Sequence, residues 1–337
     1  MTDRPRRTGS AVCLALAMLV VACGSDAALP APSSSSAPSR TPAASGSLDP
    51  SPSTPATATI QPTATPPLPD IASLSDAFDT SATLDEWQRL NVAEAGFPDT
   101  LKTVDVDETS PGALFMEPWT TAWYGDFRGP LLFKEVAGDF VVTARVRASG
   151  HDDEVPQRTY SLVGLAARTP RAITVETWVP GGEDYVFINV GAGDQPGRYQ
   201  LETKTTVKSR STLTLKSVPI GWVEVRIVRV GNAMLMLFRP DGATWQLSSV
   251  FDRDDMPPNL QVGTMVYTDW EGMVDFHADP AAYNRLVLKD RHPDLLASVD
   301  FIRFARPEVP PALLGRDLAN PLEATADELV SAFGGDR

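Results

Sequence analysis

From Leu101 onward the chain repeatedly alternates apolar and polar residues with a period of two. Phe140, Val142, Ala144 and Val146 are interleaved with Val141, Thr143, Arg145 and Arg147. Successive side chains of a strand point to opposite faces, so this run predicts a strand with one buried and one wetter face. Val223, Val225 and Ile227 alternate with Glu224 and Arg226 in the same way. Gly231-Asn232 separates this run from Ala233–Phe238, and Asp241-Gly242 precedes Trp245–Phe251. Such pairs accept the positive φ of tight hairpin turns. The same pattern predicts strands at Leu101–Asp107, Gly112–Glu117, Leu131–Val136, Leu162–Ala167, Ile173–Trp178, Tyr185–Val190, Tyr199–Val207, Ser211–Lys216, Leu260–Tyr267 and Val299–Phe304. About a dozen or more short strands without a long helical period predict an all-β fold of two packed antiparallel sheets. A single closed barrel is the alternative. Near the end of the chain, Leu329, Val330 and Phe333 form an apolar stripe, which predicts a short helix over Ala324–Phe333.

Before Leu74 the pattern disappears. Residues 24 to 70 are mostly Ser, Thr, Ala and Pro, without an aromatic residue. Such a segment cannot bury enough surface to offset the entropy of ordering. It predicts a disordered tether over residues 23–72, Pro-rich and extended, with a reach on the order of 100 Å. All 7 Trp and all 6 Tyr lie beyond it. A β-sandwich domain is therefore expected over 73–306, followed by a tail over 307–337 that carries the short helix.

The first 22 residues have a different composition. Arg4, Arg6 and Arg7 precede 12 consecutive apolar residues from Ala11 to Ala22. A membrane span needs about 20, so the run predicts a signal segment. Val20-Val21-Ala22-Cys23 resembles the lipobox of bacterial lipoproteins. That resemblance implies cleavage before Cys23, acylation of its sulfur, and a protein anchored to a membrane of the cell envelope and facing outside the cytoplasm. Ordinary secretion with cleavage at a nearby small residue is the alternative. The chain has 2 cysteines, Cys13 and Cys23. Cys13 would leave with the signal and Cys23 would carry lipid, so the domain has no thiol for a disulfide, a nucleophile or a thiolate zinc site. The net charge of −14 argues against nucleic acid or an anionic lipid surface as the partner.

Motif order from Leu74 to Phe304 carries a family resemblance. Leu74, Asp76 and Phe78 open it, with Trp87 close behind; Gly129-Pro130, Gly138-Asp139-Phe140 and Gly164-Leu165 follow. Trp222-Val223-x-Val225-Arg226-Ile227-x-Arg229-x-Gly231-Asn232 and Asp241-Gly242-x-x-Trp245 are the most specific parts. Together they resemble the concanavalin A-like lectin/glucanase jelly rolls, and within them a group of accessory modules attached to secreted glycosidases. The resemblance implies a two-sheet jelly-roll sandwich. Its motifs are mainly structural, and residues 180–216 and 269–298 depart from the pattern.

Glycoside cleavage uses two carboxylates flanking the bond. Glucanases of the resembled superfamily carry theirs as Glu-x-Asp-x-(x)-Glu on one strand. This chain lacks that run, and Asp105-x-Asp107-Glu108 has the wrong spacing. Glu176, Asp184, Asp269, Glu271 and Asp275 are acids that the fold could bring together. His151, His277 and His292 are the only histidines, and no Gly-x-Ser-x-Gly elbow exists. No catalytic residue, cofactor or metal ligand is therefore assigned. Calcium is the metal that fits best, at Asp152-Asp153-Glu154 or Asp252-Arg253-Asp254-Asp255; solvated turns account for both clusters equally well. Arg198, Lys204, Lys208, Arg210 and Lys216 could form a basic patch for an anionic glycan, or simply protect a strand edge.

Aromatic rings stack on the apolar faces of sugars, and nearby polar groups bind the hydroxyls. The ligand candidates are Trp119, Trp123 and Tyr124 in one loop, Trp178 before Gly181-Gly182, and Tyr267, Asp269 and Trp270 where a strand runs into a loop. The favoured expectation is a tethered, non-catalytic module that binds a polysaccharide or other glycan. A structural or protein-interaction module is the alternative, and a glycan-cleaving enzyme the third.

Overall fold

The structure is a computed structural model that describes residues 69–335. The expected signal, Cys23 and the tether as far as residue 68 lie outside the described residues. Folded structure begins at the last four residues of the expected tether: Ile71 is buried in the core and Ala72–Leu74 form a 3-10 turn.

Seven strands lie in the first half: β1 (Gln88–Arg89), β2 (Leu101–Val106), β3 (Leu114–Pro118), β4 (Leu131–Ala137), β5 (Phe140–Ser149), β6 (Ser161–Arg168) and β7 (Tyr185–Ala192). The second half adds β8 (Tyr199–Val207), β9 (Arg210–Ser217), β10 (Val223–Val230), β11 (Ala233–Pro240), β12 (Gln246–Asp252), β13 (Asn259–Tyr267) and β14 (Leu296–Ala305). They form two 7-stranded sheets, ordered β1-β4-β13-β6-β7-β8-β9 and β12-β11-β10-β5-β14-β3-β2, with every ladder antiparallel. The fold is the two-sheet jelly-roll sandwich expected from the sequence. The sheets stay open, with β1, β9, β12 and β2 at their edges, so the closed barrel is not formed.

The core between the sheets comes from one half of each alternation. Val163, Leu165, Val186, Ile188, Leu201 and Val262 of the first sheet meet Val142, Ala144, Val225, Ile227, Met236 and Ile302 of the second. The hairpin turns also fall as read. Val230 pairs with Ala233 around Gly231 at φ 57°, and Gly242 takes φ 74° between β11 and β12. Trp245 is buried at the start of β12, with the Arg226 and Arg239 guanidiniums over its ring at 4.1 and 4.9 Å.

Two expectations change. Ile173–Trp178 is a turn rather than a strand. The Thr177 and Trp178 amides donate to the Thr174 carbonyl, the Thr174 amide donates to Thr177 Oγ1, and Val175 and Trp178 pack on Phe97. Those threonine bonds satisfy the backbone locally, so the β-branched run needs no ladder. On β5, the second face is wetter only from Arg145 onward, at Arg145, Arg147 and Ser149. Val141 is covered by Leu313, Leu318, Leu329 and Phe333 of the tail, which forms a third layer over the second sheet. The tail ends in a helix, Ala326–Phe333. Its Thr325 cap and Glu328 form a reciprocal capping box.

Leu74, Asp76, Phe78 and Trp87 close the start of the domain. Asp76 bridges to Ile302, and its carboxylate accepts from the Phe78 amide and from Trp87 Nε1, both at 2.8 Å. Phe78 is fully buried at φ 53°, a conformation that the Asp76 bond helps to hold.

Candidate functional site

Strand alternation places Gln200, Glu202, Lys204 and Thr206 of β8 on the face opposite Leu201, which lies in the inter-sheet core. Tyr185, Phe187 and Asn189 of β7 share that outer face, as do Met265 and Tyr267 of β13. Between them runs β6, where Gly164 lets the strands come close: a Cβ there would lie 2.1 Å from the Ile188 carbonyl oxygen.

Two segments cover this face. The first is 119–130, tied by bridges from Thr121 to Thr268 and from Thr120 to Leu288. The second is the 3-10 helix Trp270–Phe276, followed by a one-turn α-helix, Pro280–Tyr283, within the 269–298 segment that departs from the strand pattern. Asp269 locks both segments. At φ 64° it caps the 3-10 helix, and its fully buried carboxylate accepts from Arg158 Nε at 2.7 Å, Thr120 Oγ1 at 2.6 Å and the His292 amide at 3.1 Å.

Beneath the cover, polar groups lie among rings. Tyr267 donates its hydroxyl hydrogen to Glu202 Oε2 in a short bond. Lys204 Nζ sits 3.0 Å from Glu202 Oε1 and donates to the Trp123 carbonyl at 2.8 Å. The same ammonium lies over the rings of Phe187, Tyr124 and Tyr267 at 4.6, 5.2 and 5.5 Å. Burial pulls the Lys204 pKa below its ordinary value, against the pull of Glu202. Burial and then the Glu202 charge raise Tyr267 well above the phenol value. Asn189 Oδ1 is buried there without a hydrogen-bond partner.

Above these groups, rings reach the surface. Tyr124 and Tyr160 meet Trp270 edge-on, with centroids at 5.7 and 6.1 Å, and exposed His277 stacks on Trp270 at 4.6 Å. Tyr124 is 40% exposed, while Tyr160 and Trp270 are half-buried. Burial, helped by Glu202 and Asp194, pushes the Tyr160 pKa up to about 12.

The expected ligand residues divide accordingly. Tyr124 and Trp270 come together at this rim. Trp123, Tyr267 and Asp269 lie in or under its cover but are buried. Trp123 meets Tyr185 edge-on at 5.4 Å, so it packs the cover down instead of facing solvent. Trp178 is buried elsewhere with Phe97 and Val175. Trp119 stands apart, half-buried, flanked by Lys102 and Lys289 at 5.6 and 5.7 Å from its ring. Tyr160, Asn189 and Glu202 were not expected. Only the alternation of Glu202 with Lys204 was a signal for any of them.

The candidate acids do not converge. Glu176 bonds to Thr174, Asp184 accepts from the Lys208 amide, and Asp275 pairs with Arg291; Asp269 and Glu271 share Arg158. In one acidic cluster both Asp255 oxygens accept from Arg253, each at 2.7 Å. Among the described residues, no group of three His, Cys, Asp or Glu side chains is placed to hold a metal. The basic residues form no single patch either: Lys204 is buried, Lys216 donates to the Ser248 carbonyl, and Arg198 bonds to Gln195. His151 is exposed, yet it is bonded on both ring nitrogens, Nε2 to Glu117 at 2.9 Å and Nδ1 to Asp294 at 3.1 Å.

No protein-family model matches the chain, and none of the curated proteins does. Among solved structures, it is similar to a functionally unknown protein from Saccharomyces cerevisiae, at 16% identity and a TM-score of 0.44 over 67% of this chain and 98% of that one. The metal-free lectin I-B4 of Griffonia simplicifolia gives 11% identity and 0.39 over 68% and 98%. The GH43 BlXynB protein of Bacillus licheniformis gives 11% and 0.45 over 69% and 39%.

Proposed function

We propose that this chain is a lipid-anchored surface protein whose jelly-roll domain binds carbohydrate at the rim formed by Tyr124, Tyr160 and Trp270. The observation that carries the reading is the meeting of three partly open rings above a buried polar floor. A pyranose has apolar C–H faces and polar edges. The rings suit the faces, and Asn189 Oδ1, buried without a hydrogen-bond partner, suits a hydroxyl. Binding without cleavage fits the floor, because the Glu202 carboxylate is already engaged by Tyr267 and Lys204.

A panel of soluble and insoluble polysaccharides, titrated against the purified chain, tests this. At least one glycan is expected to bind, and Trp270→Ala to weaken it roughly tenfold, about 1.4 kcal/mol for one lost aromatic contact. Absence of glycan affinity, with envelope proteins recovered by crosslinking, would favour a structural or interaction module. A glycan-cleaving enzyme is the third reading. Release of reducing ends that Glu202→Gln abolishes would establish that reading instead.

Anchoring is proposed from the sequence around Cys23. The native chain is expected to partition into the detergent phase, and Cys23→Ser into the aqueous phase. Equal partitioning would remove the lipid from the account.

A further inference from the structure

Charge is not balanced around the aromatic rim. Beneath the rings, opposite charges are matched. Glu202 Oε1 lies 3.0 Å from buried Lys204 Nζ, and the buried Asp269 carboxylate meets Arg158 Nη2 at 2.5 Å. Two further carboxylates, Asp194 and Glu271, are exposed at the rim itself. Asp194 Oδ1 accepts from the neutral amide of Gln200 at 3.0 Å. Glu271 Oε2 comes only within 3.9 Å of Arg158 Nη2, a guanidinium that Asp269 already holds.

Backbone bonds fix both acids beside the rings. The Tyr160 amide donates to the Gly193 carbonyl at 2.7 Å, which sets Asp194 next to Tyr160. The Trp270 amide donates to the Thr159 carbonyl at 3.2 Å. Glu271, the residue after Trp270, accepts in turn from the Thr159 amide at 3.3 Å. Glu271 therefore lies between Trp270 and the residue that precedes Tyr160.

The other cations of these segments are engaged elsewhere. Arg198 donates to Gln195 Oε1 at 2.6 Å, and Arg291 pairs with Asp275 and Asp290. Tyr160 senses the result. Burial first, then the Glu202 and Asp194 charges, raise its pKa, and no cation pulls it back. The net charge of −14 adds a field of the same sign. Aromatic faces attract ammonium groups within about 6 Å of the ring centre. Rings and unmatched carboxylates thus favour the same kind of ligand, one that carries positive charge.

We propose that the rim selects sugars bearing free, protonated amino groups, with Asp194 and Glu271 as the residues that set this preference. The proposal rests on the reading of the rim as a sugar site and names the class of sugar. The ring of an amino sugar offers the same apolar faces as any pyranose, and its ammonium suits the two carboxylates. N-acetylation keeps the ring and removes the charge, and a uronate reverses it.

The test titrates the full chain at pH 6 with oligomers of glucosamine, N-acetylglucosamine and galacturonate, and with oligolysine. At low salt the glucosamine oligomer is expected to bind roughly tenfold more tightly than the N-acetylated one, the combined scale of two exposed charge contacts. The galacturonate oligomer is expected to bind weakest. The preference is expected to shrink toward parity in 1 M salt, where charges are screened beyond about 3 Å. It is expected to shrink likewise in an Asp194→Asn, Glu271→Gln double variant. Both side chains are exposed, and each amide keeps an oxygen to accept from Gln200 or Thr159, so the variant retains the fold. Equal binding of the amino and N-acetyl oligomers, or a preference that survives the double variant, would overturn the proposal. Oligolysine binding as tightly as the amino sugar would overturn it too, since charge alone would then suffice. No glucosamine binding, beside a neutral glycan whose affinity Trp270→Ala weakens, would overturn this preference and leave the rim reading standing. No binding of any glycan would overturn both.

Discussion

His151 shows how much one side chain can join in this domain. Its ring links Glu117 on β3 to Asp294, and Asp294 also accepts from the His151 and Gln157 amides. Burial alone would lower the imidazolium pKa, but Glu117 and Asp294 outweigh it and the net value is raised. Burial alone would raise Glu117, but Lys102 and His151 outweigh it and the net value is lowered. The His151 contribution is therefore complete below about pH 6.5, the ordinary imidazole value, and is lost as pH rises through the higher folded value. The Glu117 contribution is complete above the ordinary carboxylate value and is lost as pH falls through the depressed one. Between those limits both are present. Thermal melts of native protein and His151→Gln are expected to differ most near pH 6 and to converge in mildly alkaline buffer. A constant difference across that range would mean the clamp carries no charge. The sequence gives no sign of this clamp, because the partners of His151 lie 34 and 143 residues away.

At the scale of elements, what was legible was what is local. The β10–β11 hairpin needs only its own alternation and Gly231-Asn232, and it forms with the expected register. Ile173–Trp178 carried the same β-branched signal, but its threonines close a turn on themselves. The tail was read as one short amphipathic helix. Its stripe gave no hint of what it would cover, since Val141, Leu235 and Leu237 are distant in sequence. Once the tail is seen as a third layer, its cost of removal follows. Phe333 is fully buried, and Arg226 Nη1 donates to its carbonyl in a short bond. Phe333→Ala is expected to cost about 3–5 kcal/mol through lost burial and an unfilled cavity. Urea unfolding reads this directly, and a loss under about 1 kcal/mol would show the layer to be dispensable.

For the molecule as a whole, two sheets leave one outer face covered by the tail and the other covered by loops that carry the candidate side chains. The aromatic candidates were legible as residue types in loops. Which of them would reach solvent was not, because that depends on how segments 119–130 and 270–283 fold down onto β7, β8 and β13. Trp123 turned inward under that cover, Tyr124 turned outward, and adjacent positions in sequence gave no way to tell them apart. Lys204 was grouped with a basic stretch by composition, yet it donates to a carbonyl 81 residues away and stands under the rim. The account's central claim is that this rim binds sugar. The most direct measurement is the affinity of the native chain for its best glycan against that of a Tyr124→Ala, Trp270→Ala double variant with an unchanged melting temperature. The account predicts a loss of roughly a hundredfold or more, two aromatic contacts of about 1.4 kcal/mol each. Equal affinity in the two proteins would contradict it.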